Sequence, residues 1–78
     1  MTGRELKAKR SAAGISGAVL STKVGMSRSR LSEIERAYIS PSPEEFERLK
    51  AALDALIQAK ILINQAAIAA GWPGAAVA

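Results

Sequence analysis

Residues Met26-Ser-Arg-Ser-Arg-Leu-Ser-Glu-Ile-Glu-Arg-Ala37 set arginine, serine and glutamate around two large apolar side chains, Leu31 and Ile34. Arginine can donate bidentately to the O6 and N7 of guanine, glutamate can accept from the N4 of cytosine, and serine can do either. On a helical wheel Leu31 and Ile34 share the inward side, with Ser27 between them. Arg28, Ser29, Ser32, Glu33 and Arg36 then form one contiguous outward arc. A helix that enters a DNA groove needs that layout: reaching side chains on one face and a narrow apolar seam on the other. Taken alone, the same arc also fits a solvated surface helix.

The flanking punctuation places this stretch third in a series of helices. The first runs from about Gly3 to Ala13, with Leu6, Arg10 and Ala13 on one side, and Gly14 stops it. Ser16 caps a second over Gly17 to Val24, and Gly25 follows as its left-handed end. Ser27 caps the third, which ends near Arg36. Pro41-Ser42-Pro43-Glu44-Glu45 opens the next, with Ser42 as cap, Pro43 in first position and Glu45 completing a capping box. No Gly or Pro then intervenes until Gly71-Trp72-Pro73-Gly74. That interval is either one helix over about 43–70 or two that join near Asp54–Ala59. Strand alternation is absent, so the fold class is all-α.

The totals narrow the chemistry. Seventy-eight residues make one small domain with a marginal core. Without Cys or His the chain lacks disulfides, thiolate metal ligands and the commonest general base, so neither a metal, a cofactor nor an enzyme is expected. Glu44-Glu45 is better explained by helix capping than by acid–base work. No signal-peptide pattern opens the chain, and the unbroken apolar tracts fall short of a membrane span, so a soluble, cytoplasmic protein without a membrane partner is expected. Charge is uneven: residues 1–43 hold eight basic side chains against three acidic ones, and residues 44–78 three against four. The first half therefore suits a polyanion.

The run LKAKRSAAGISGAVLSTKVGMSRSRLSEIERAYISPSPEEF resembles the Cro/cI-type, lambda-repressor-like helix-turn-helix family over about residues 4–56. The likeness rests on Ile15-Ser16 entering helix 2, Leu20-Ser21 within it, and the turn Gly25-Met26-Ser27. Leu31 with Ile34-Glu35, and Pro41-Ser42 opening helix 4, complete it. Three positions depart from the family. Gly17 stands where a phosphate-contacting Gln is usual, Ala37 where a Gly ends helix 3, and Val19 where a polar residue is usual.

The resemblance implies a helix-turn-helix bundle of four to five helices, extended by an apolar C-terminal helix. Residues 1–56 would bind DNA, 57–73 would form a dimerising extension, and 74–78 a flexible tail. It assigns Arg28, Ser29, Ser32 and Glu33 to base edges, and Ser16, Ser27, Arg30, Arg36 and Tyr38 to phosphates. Arg4, Lys7 and Lys9 are flanking phosphate contacts or solvated charges. Arg10 and Glu35 would form a structural ion pair between helices 1 and 3. Ile61, Leu62, Ile63, Ala67, Ile68 and Trp72 exceed what a small core absorbs, which points to a homodimer seam or to a segment folded back on its own domain. The expected function is a sequence-specific regulator on double-stranded DNA, a small dimeric repressor. The alternative is an antitoxin that grips a toxin protein through the same apolar segment.

Overall fold

Four hydroxyls start the four helices. The side chains of Thr2, Ser16, Ser27 and Ser42 accept hydrogen bonds from the backbone N–H groups of Glu5, Val19, Arg30 and Glu45. Each satisfies a donor that the first helical turn leaves unpaired. The resulting helices, in a computed structural model that describes residues 1–71, are α1 (Gly3–Ala12), α2 (Gly17–Val24), α3 (Arg28–Glu35) and α4 (Pro43–Ala69). No strand occurs among the described residues. Trp72 and the tail at 74–78 lie outside them.

The reciprocal capping box expected at Ser42 and Glu45 is absent. Glu45 turns its carboxylate to Arg30 instead, because a guanidinium there offers two charge-assisted bonds. The box occurs in α1, where the Glu5 carboxylate accepts from the Thr2 N–H at 3.1 Å. Ser27, placed on the inward side of α3 by the wheel, is exposed, since a cap residue sits off the helical path.

Leu6, Leu20, Leu31, Ile34, Leu49 and Leu53 are fully buried, with Ile15 and Ala52 beside them and Phe46, Leu56 and Ile57 half-buried at the margin. Each fully buried aliphatic side chain contributes about 1.5–3 kcal/mol relative to exposure. α2 packs on α3 and α4, and α1 packs on α3. The start of α1 approaches the end of α3 so closely that a Cβ on Gly3 would fall 2.1 Å from the Ile34 carbonyl oxygen.

α4 is one helix of 27 residues, about 40 Å long. Its first half covers the core. Its second half projects past the domain, leaving Ile61, Leu62, Ile63 and Ile68 exposed and Ala67 half-buried. No fifth helix folds back among the described residues. A polar anchor ties the projecting half to the domain. Lys60 Nζ donates to the carbonyl oxygens of Ala13 (2.7 Å) and Gly14 (3.3 Å), placing a cation at the negative end of α1.

By length and composition α4 could cross a membrane, contrary to the tally of unbroken tracts, because Leu and Ile are dense around isolated polar residues. Yet Leu49 and Leu53 are buried in the domain core, and Asp54, Gln58, Lys60 and Gln65 are costly to place in hydrocarbon.

Two left-handed residues carry opposite predictions. Gly14 sits at φ 69°, and a Cβ there would lie 2.5 Å from Lys60 Nζ. Gly14→Ala should therefore cost about 1–2 kcal/mol and displace Lys60. Ala37, at φ 62°, already bears that strain. Ala37→Gly should stabilise by about 0.5–1 kcal/mol, since relief of the left-handed penalty outweighs the added freedom of the unfolded chain. Denaturant melts of both variants check the signs; destabilisation by Ala37→Gly would contradict this account.

Candidate nucleic-acid interface

α3 has only eight residues and would not persist alone. Leu31 and Ile34 pin it to the core, and Gly25, in the left-handed conformation at φ 80°, makes the turn from α2. The remaining face is open. Arg28, Ser29, Glu33 and Arg36 are exposed and Ser32 half-buried, and the five side chains border one shallow depression. The contiguous arc read from the wheel is present in space.

Basic groups of α1 continue this surface. Lys7 shares a crevice with Arg28, Ser32 and Arg36, and Arg4 and Lys7 share a second with Arg36 and Tyr38. Among the described residues Arg4, Lys7, Arg28 and Arg36 form no ion pair, whereas Lys9 is held by Asp54 at 2.7 Å. A strip of available positive charge thus crosses from α1 to α3. Tyr38, which lines the second crevice, is 73% exposed, and Val19 on α2 is 48% exposed.

Gly17 leaves open the place that a Gln side chain would fill. A Cβ there would sit 3.9 Å from Arg28 Nε, 3.9 Å from Arg10 Cζ and 3.9 Å from Leu31 Cδ2. Arg28 therefore lies beside the start of α2, where a longer neighbour would otherwise contact it.

Behind the open face lies the pair that orients it. Arg10 donates from Nε to Glu35 Oε2 at 2.8 Å and from Nη2 to Glu35 Oε1 at 2.9 Å. Its Nη1 donates to the Ile15 carbonyl at 2.8 Å. One guanidinium thereby fixes α1, the loop before α2 and the last turn of α3. Both side chains are largely buried, 13% and 6% exposed. The hydrogen bond with Glu35 raises the Arg10 pKa against the opposing effect of burial, so the cation is secure.

Arg30 stands apart from the strip. Its Nη2 and Nε donate to Glu45 Oε1 and Oε2 at 2.7 and 3.1 Å. Sequence reading did not find this pair. The partners are 15 residues apart in different helices, and no local spacing announces them. The Lys60 mooring escaped for the same reason.

Residues 2–62 match the model of the helix-turn-helix domain family, and the chain belongs to that family. Its fold is that of a small helical bundle carrying a DNA-binding helix-turn-helix. No curated protein and no solved structure matches the chain.

Arg10→Met should destabilise the domain by about 3 kcal/mol or more, because Glu35 would be left buried without its cation. Thermal melts should show a large drop in midpoint. A midpoint equal to that of the parent protein would show that the pair does not hold α3.

Proposed function

We propose that the chain is a sequence-specific transcriptional regulator that binds a palindromic operator as a homodimer and represses by occupying it. The observation that carries this reading is the open arc of α3, displayed on a helix whose opposite side is locked by Leu31, Ile34 and the Arg10–Glu35 pair. Arg28, Ser29, Ser32 and Glu33 are assigned to base edges in the major groove. Arg36, Tyr38, Ser16 and Ser27 are assigned to phosphates, with Arg4 and Lys7 extending the set along α1. Each cap serine accepts a backbone N–H through its oxygen, so its own hydroxyl hydrogen is free to donate to a phosphate. Such a protein works where the DNA it binds is, and the cytoplasm is the location this reading proposes.

The dimer assignment rests on the projecting half of α4. Ile61, Leu62, Ile63 and Ile68 expose apolar surface that burial against a second copy would remove from water. Paired domains would read half-sites about 34 Å apart on one face of the duplex. The same surface also supports the second reading, an antitoxin whose toxin covers α4.

Selection of bound sites from random duplexes should return a palindrome with that spacing; recovery of unrelated sequences would refute specific recognition. Arg28→Ala should lose preference at one base pair by about 1–3 kcal/mol, while Arg36→Ala should weaken operator and random DNA alike. Identical losses for both variants on both duplexes would overturn this division of roles. Replacing Ile61 and Ile68 together by Lys should convert a dimer to a monomer in light scattering. A parent protein already monomeric at working concentration would remove the homodimer.

A further inference from the structure

Arg30 is set in the first turn of the reading helix, yet its guanidinium already has an anion. Two of its donors bond the two oxygens of Glu45 at 2.7 and 3.1 Å, in the bidentate geometry with which arginine grips a phosphate. Glu45 is built in firmly. It lies in the first turn of α4, its backbone N–H is fixed by the Ser42 hydroxyl at 3.1 Å, and its side chain is only 15% exposed. Arg30 is 46% exposed, so it can exchange partners with an incoming anion. The Arg30 hydrogen bonds hold the Glu45 carboxyl below its ordinary pKa, because they favour its anionic form. Of the arginines on and around α3, Arg10 is consumed by buried structure, Arg4, Arg28 and Arg36 form no ion pair among the described residues, and Arg30 is held by an acid at the protein surface.

We propose that Glu45 is an internal substitute for a DNA phosphate, which holds Arg30 in the free protein and lowers affinity for all duplexes without altering sequence preference. This rests on the DNA-binding reading above. The physical basis is counterion release: each phosphate that a protein cation neutralises frees condensed ions from the duplex. A cation already paired with a carboxylate must give up that partner first, and its net contribution shrinks accordingly. The consequence is uniform because a phosphate contact carries no base information.

The test measures binding of the full chain to an operator and to a random duplex at several salt concentrations. Glu45→Gln removes the charge, keeps the side-chain shape and leaves the Ser42 cap in place. It should tighten binding to both duplexes by about fivefold at roughly 0.15 M salt, and steepen the log–log salt slope by about 0.9. The operator-to-random ratio should stay constant. Glu44→Gln, an equal charge change in the neighbouring exposed residue, should produce a smaller gain. In an Arg30→Gln background the gain from Glu45→Gln should fall to the Glu44→Gln level. Unchanged or weaker binding by Glu45→Gln overturns the proposal. So does a gain that survives undiminished without Arg30, since that would be a general charge effect. Failure of the parent chain to bind any duplex at low salt would instead refute the DNA-binding reading itself.

Discussion

One guanidinium decides where the open face of this molecule points. α3 has eight residues and a two-residue apolar seam, which resists separation from the core but resists rotation and sliding only weakly. The Arg10–Glu35 pair supplies the missing constraint. A planar fork bonded to both carboxylate oxygens permits one relative orientation of α1 and α3, and the third bond to the Ile15 carbonyl extends that constraint to the approach to α2. Taking both charges out of water is costly, and an apolar pair of similar volume could be as stable. What the ion pair adds is direction, the property a helix needs if its side chains are to meet base edges in register.

The other charged groups divide according to whether the fold uses them. Lys9 is engaged by Asp54, Arg30 by Glu45, and Lys60 by the carbonyls that end α1. Among the described residues Arg4, Lys7, Arg28 and Arg36 form no ion pair and make one strip across α1 and α3, and Lys23 and Arg48 are likewise without an ion pair. The formal net charge of +4 is therefore unevenly spread, since Lys9, Arg30 and Lys50 each face a carboxylate while this strip does not. Unpaired positive charge is thus concentrated beside the open face of α3.

α4 links this face to the rest of the molecule. Its first half completes the core, and its second half carries large apolar side chains beyond the domain with Lys60 as the mooring. Ile61, Leu62, Ile63 and Ile68 of that second half are exposed. The exposed end of α4 is continuous with the half that packs on the core seating α3.

Much of the fold was legible in the residues. Ser16, Ser27 and Ser42 cap where their types and spacing place them, Gly14 and Gly25 take the left-handed exits, and Leu31 with Ile34 turns inward. Even the awkward exit at Ala37 was foreseeable from an Ala where a Gly would be easier. These features are decided within about four residues along the chain, where hydrogen-bond caps and helical periodicity act. The resemblance to known helix-turn-helix chains supplied the Arg10–Glu35 pairing, which composition could not. Tertiary structure decided the remainder: one continuous α4 rather than two helices, Glu45 turned from its own helix end to Arg30, and Lys60 drawn to the end of α1. Each joins residues 15 or more apart or depends on what neighbouring helices cover. The sequence determined which helices form and which faces they show; only packing determined which charges were left for a partner, because an ion pair exists where two helices meet.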